Sequence, residues 1–131
     1  MPFKFENLRV WDQSLDFVES AYAASSQLPR EEEFNLRSQM RRAATSVALN
    51  IAEGSIGQSN AEQARFIGMA IRSLVEVIAC VKLIERHGYE APEGSLTSLY
   101  HLGEELVAQL HALRSRIAPC AQVRESTHDE D

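Results

Sequence analysis

The residues from Gln39 to Gly54, QMRRAATSVALNIAEG, constrain the fold more than any other stretch of this chain. At about 100° per residue, Leu36, Met40, Ala43, Ala44, Val47 and Ile51 share one helix face, which must be core. Gln39, Arg42, Ser46, Asn50 and Glu53 recur at spacings of three and four on a second face, with Leu49 among them. That second face is either a polar site or a hydrogen-bond network to a neighbouring helix, within or between subunits. Arg42 and Glu53 stand about 16 Å apart along the axis. They cannot pair with each other within one helix, which favours the network. Leu49 in such a setting points to a subunit contact.

The remaining helices follow from the same period. The first is expected from about Asn7 to Leu28, with a stripe of Leu8, Trp11, Leu15, Val18 and Tyr22, ending where Leu28 precedes Pro29. Glu31, Glu32 and Glu33 are expected to open the second helix, complementing the positive end of its dipole. Gly54 would close it in a left-handed cap. Ser59-Asn60-Ala61-Glu62 has the form of a capping box and starts a third helix that runs to about His87, before Gly88. A fourth begins near Pro92 to Ser95 and continues to about Ile117, on a stripe of Leu99, Leu102, Leu106, Leu110, Leu113 and Ile117. Gly68 and Gly103 interrupt helices, which implies close approach of a neighbour. The expectation is one all-α domain over residues 1–118, an antiparallel up-down-up-down four-helix bundle, followed by an acidic, disordered tail over 119–131.

Charge and composition narrow the functional classes. Aromatic residues make up only 7% of the chain, which together with scarce β-branched runs favours helices over strands. The net charge is −6, and half of it lies in the tail, where Arg124 opposes Glu125, Asp129, Glu130 and Asp131. An acidic body is not the footprint of a dedicated nucleic-acid binder. A local ridge is nevertheless available: Arg37 and Arg41 on the second helix, and Arg65, Arg72 and Arg86 on the third. Arg72 and Glu76 have the spacing of a helical ion pair. The third helix is apolar over more than half its circumference, with Met69, Val75 and Leu83 outside the main arc. A helix so apolar needs more cover than a lone small bundle offers, which suggests an oligomer.

Catalytic signatures are lacking. Within the four helical segments no carboxylate is followed three residues later by histidine, as di-iron bundles require, and His101 with Glu105 forms no second ligand set. Phosphate-binding glycine loops, Cys-x-x-Cys and Gly-x-Ser-x-Gly do not occur. Cys80 lies in an apolar pattern and reads as an inert thiol. No enzyme activity, cofactor or metal is expected. The N-terminal residues lack the apolar core of a signal peptide, and no apolar run approaches the ~18 residues of a membrane span. A cytoplasmic location is expected.

Several motifs together carry a family resemblance. They are Leu8-Arg9-Val10-Trp11, then Leu36 through Gln39 to Arg41-Arg42-Ala43, then Asn50-Ile51-Ala52-Glu53-Gly54, and Ala70 with Ser73 and Glu76 on the third helix. Over roughly Phe5 to Ile117 the chain resembles the four-helix-bundle proteins named for intervening sequences in 23S ribosomal RNA genes. The resemblance implies a ring-like homo-oligomer, a pentamer. It also implies kinship with accessory proteins of diversity-generating retroelements, which are basic and bind nucleic acid; this chain departs from them in being acidic. The expected function is therefore a non-enzymatic oligomeric scaffold or adaptor. Its assembly would use Gln39, Arg42, Ser46, Leu49, Asn50 and Glu53 together with the broad apolar surface of the third helix, and its partners would be itself and RNA or another protein. The alternative is RNA or DNA binding through Arg37, Arg41, Arg65, Arg72 and Arg86 repeated around the ring.

Overall fold

Apolar residues recurring every three or four positions fold into four α-helices in a computed structural model that describes residues 3–118. They are α1 (Arg9–Ala24), α2 (Leu36–Glu53), α3 (Asn60–His87) and α4 (Ser95–Ile117). Two single 3-10 turns, Lys4–Asn7 and Arg30–Glu32, precede α1 and α2, and no strand occurs among the described residues. Helix α1 packs on α2 and α4, and α3 packs on the same two. The shared core is centred on Phe17, Met40, Ile51, Ile67, Leu74 and Leu106. The expected tail, with Cys120, lies outside the described residues.

Helix α1 is turned and shortened relative to the expectation. Val10, Phe17, Ala21 and Ala24 face the core, while Leu15 and Tyr22 are 41% and 42% exposed. The buried face includes Ser14, whose hydroxyl donates to the Trp11 carbonyl at 2.6 Å. Small residues here let the neighbouring helices come close around one large ring, Phe17. The helix stops at Ala24 because Ser25 and Ser26 hydroxyls donate to the Ala21 and Ala23 carbonyls at 2.8 and 2.7 Å. Such local side-chain bonds compete with continuation of the helix.

The start and end of α2 also differ from the expectation. Glu31 and Glu32 occupy a separate 3-10 turn, with Glu33 just after it, instead of the first helical turn. Glu32 still serves α2 from outside: its Oε1 accepts from the Asn35 side chain at 2.9 Å and from the Leu36 N–H at 3.3 Å. Gly54 has φ −78° and is no left-handed cap. Its small size answers a packing need instead. A Cβ there would stand 3.0 Å from Phe66 Cβ and 3.2 Å from the Asn50 carbonyl oxygen.

The third and fourth helices follow their patterns more closely. Ser59 accepts the Glu62 N–H at 3.2 Å, as a helix-starting serine should; the Glu62 carboxylate turns to Arg65. Gly88, at φ +70°, ends α3 in the left-handed conformation. On α4, Leu99, Leu106 and Leu110 are buried, with Leu102 and Leu113 packed at the margin. Gly103 allows the close approach expected of it: a Cβ would meet Ile78 Cδ1 at 2.8 Å and Phe17 Cε1 at 3.3 Å.

Candidate functional site

The polar face of α2 separates into two parts once its neighbours are in place. One part is tied into the fold. The Asn50 amide donates to the Ser46 carbonyl at 2.9 Å and to its hydroxyl at 3.0 Å. The Ser73 hydroxyl of α3 donates to the same Ser46 Oγ at 3.0 Å. Asn50 is buried, and the Ser73–Ser46 bond that joins α2 to α3 is half-buried. Gln39 donates to Asn35 at 3.1 Å, at the helix start.

The other part faces outward. Arg42, Leu49 and Glu53 are exposed, Leu49 by 54%. Among the described residues neither the Arg42 guanidinium nor the Glu53 carboxylate has an ion-pair or hydrogen-bond partner. With Tyr22, Thr45 and the flank of Arg41 they line an open groove of about 400 Å³ between α1 and α2.

The five candidate nucleic-acid arginines do not share one surface role. Arg37 and Arg41 fold back over the end of α1. Arg37 Nε donates to the Ser25 carbonyl at 3.1 Å and its Nη2 to the Leu28 carbonyl at 2.8 Å. Arg41 donates to Ser25 Oγ at 3.0 Å and to the Tyr22 carbonyl at 3.2 Å, and its guanidinium lies 4.5 Å from the Tyr22 ring centre. Two cations thus satisfy carbonyls at the negative end of a helix. On α3, Arg65 pairs with Glu62 at 2.6 Å, and its hydrogen bond holds the Glu62 carboxyl below the ordinary value. Arg72 and Arg86 are exposed. The expected Arg72–Glu76 pair is not among the ion pairs of the described residues, which join Glu62–Arg65, Lys82–Glu85 and His101–Glu104.

The family model of the 23S rRNA-intervening sequence protein matches residues 6–112. The chain belongs to the 23S rRNA-intervening sequence protein family. No curated protein matches the chain. The stretch matching the family model takes in α1, α2 and α3 whole and most of α4. Within it, the motif residues serve different ends: Arg41 anchors α1, Asn50 holds Ser46, which accepts from Ser73 of α3, and Arg42 and Glu53 face out.

Among the described residues the groups able to do chemistry are sparse. Cys80 is buried, and burial, with Glu76 nearby, pushes its thiol up to about 11. It stays protonated and unreactive at neutral pH. His101 turns to Glu104 at 3.0 Å rather than to Glu105. Among the described residues no three His, Cys, Asp or Glu side chains are placed to hold a metal ion. Among the described residues no helix is long and apolar enough to cross a membrane.

Two features were not read from the sequence. Tyr89, just after α3, donates its hydroxyl to Glu32 Oε2 at 2.8 Å and ties the α3–α4 link to the α1–α2 link. That bond, then the one from Asn35, holds the Glu32 carboxyl below its ordinary value. The second feature is an apolar groove of about 690 Å³ lined by Phe3, Phe5, Ala52, Glu53 and Ile56. The aromatic spacing Phe3-x-Phe5 was its only sequence signal. Phe5 sits edge-on to Trp11 at 4.6 Å, which fixes one wall.

Proposed function

We propose that this chain is a non-enzymatic, cytoplasmic, homo-oligomeric helical scaffold or adaptor. The observation that carries the reading is a set of outward side chains that the single chain leaves uncovered. On α2 these are Arg42, Leu49 and Glu53; on α3, Met69, Val75 and Leu83 are exposed by 37%, 56% and 48%. Apolar side chains repeated on the outer faces of two packed helices suit contact with further subunits. An up-down-up-down helix order supports the reading, because it leaves long helix flanks free for such contacts. Two contacts favour that order: Tyr89 beyond α3 meets Glu32 ahead of α2, and Gly54 ending α2 abuts Phe66 early in α3. The family resemblance implies a ring of five. Light scattering on the full chain at micromolar concentration tests the reading: a mass of several subunits is expected, and a monomer would overturn it.

Nucleic-acid binding is the second reading, favoured by Arg72 and Arg86, which are exposed and outside the ion pairs of the described residues. A ring would repeat them on every subunit. Anisotropy of labelled structured RNA and duplex DNA at two salt concentrations tests it. Phosphate contacts predict affinity that falls steeply with salt. No binding at low salt would exclude this reading and leave the scaffold.

A further inference from the structure

The outer strip of α2 has a pattern that complements itself. Arg42, Thr45, Leu49 and Glu53 follow one another at spacings of three and four on one flank of the helix. A cation stands at one end, an anion at the other, and an exposed leucine lies near the middle. Neither charge has a partner in the described chain, although three other exposed pairs have formed. Turned end for end about the strip's midpoint, the same strip presents an anion where the first has its cation.

We propose that α2 pairs antiparallel with α2 of a second copy about a two-fold axis near the middle of the helix. Arg42 then meets the second copy's Glu53, and Glu53 meets its Arg42. Two ion pairs form from one pattern, as an isologous interface requires. Leu49 lies beside the axis and enters the groove that Tyr22, Thr45 and Asn50 line on the opposing copy. The Tyr22 wall is held in place by the Arg41 guanidinium stacked on its ring, so the groove stands ready before docking. A partner of another kind would have to match a cation, a leucine and an anion in one order; a second copy matches them by symmetry.

This inference rests on the assembly reading above and adds a second contact to it. Ring contacts fall to other surfaces, such as the outer face of α3, and two-fold contacts through α2 join two rings face to face. Native mass spectrometry of the full chain separates the two ideas. Ten subunits are expected. Two subunits would keep the two-fold contact and overturn the ring. Five would keep the ring and overturn the two-fold contact, and one would overturn both.

Charge reversal gives the residue-level test. Arg42→Glu or Glu53→Arg alone sets like charges against each other twice and is expected to weaken the contact by at least about tenfold. The double variant Arg42→Glu/Glu53→Arg restores both pairs with reversed polarity and should return the wild-type mass. Because both side chains are exposed, far-ultraviolet circular dichroism of the single variants should stay unchanged. Leu49→Cys, made with Cys120→Ser and with Cys80 buried, is expected to yield a covalent dimer under mild oxidation. Single reversals that leave the mass unaltered, or a Leu49→Cys variant that forms no covalent dimer, would overturn the proposal.

Discussion

The flank of α2 that meets α1 and the strip that faces outward are built from the same residue types and behave in opposite ways. On the inner flank Arg37 and Arg41 each spend their donors on the end of α1, with Ser25, Leu28 and Tyr22 as acceptors. On the outer strip Arg42 follows Arg41 directly in the chain and finds no acceptor among the described residues. One residue step turns a side chain by about 100°, and here that turn separates a fold-holding cation from a surface one. Arginine content is thus a poor guide to a binding surface. The register of the helix against its neighbour decides what each arginine is for.

The comparison can be broken most forcefully from the core beneath it. Met40 is fully buried on the inner face, and Met40→Ala is expected to cost about 2–5 kcal/mol in denaturant unfolding. Arg37→Ala comes next, at about 1.5–3 kcal/mol, because a charged donor leaves helix-end carbonyls without partners. Arg37→Lys should recover only part of that loss, since an ammonium lacks the forked donors that reach Ser25 and Leu28 together. If both variants unfold like wild type, the inner flank does not hold α1.

Smaller effects sharpen the same contrast. Ser73→Ala removes the α3 donor to Ser46 and should cost about 0.5–1.5 kcal/mol by thermal melting. Tyr89→Phe should act through pH. The Glu32 carboxyl is lowered by its bond from Tyr89, so its contribution is complete above about pH 4.5 and is lost as pH falls through the lower folded value. The Tyr89 phenol is raised by the same bond, so its contribution is complete below about pH 10 and is lost as pH rises beyond that. Melting temperature against pH should therefore lose part of its acid and alkaline slopes in Tyr89→Phe. The least effect on the folded subunit is expected from Leu49→Ser, within about 0.5 kcal/mol, while the assembled mass falls. A large loss of subunit stability there would place Leu49 in the fold instead of at a contact.

Much of the fold was legible because helical periodicity in α3 and α4 is long and ended by strong signals. Gly88 and Ser59 behave as their residue types require. The first helix misled because Leu15 and Tyr22 outweigh Ala21 and Ala24 in any reading by hydrophobicity, yet packing chose the small residues around Phe17. Gly54 misled for a related reason: its value lies in contact with Phe66, a residue far along the chain, and not in backbone freedom. The candidate site was half legible. The spacing of Ser46 and Asn50 announced a network, but Ser73, which completes it, is on another helix. That Arg37 and Arg41 serve α1 depends on where α1 ends, and the sequence placed that end several residues too late.

Sedimentation velocity on Arg42→Glu and Arg37→Ala, side by side with circular dichroism, tests the central claim most directly. The account predicts a split: Arg42→Glu keeps its helix content but sediments as a smaller assembly, whereas Arg37→Ala melts earlier and keeps its assembled size while folded. An Arg42→Glu variant that sediments like wild type would contradict the account and return the outer strip of α2 to ordinary solvated surface.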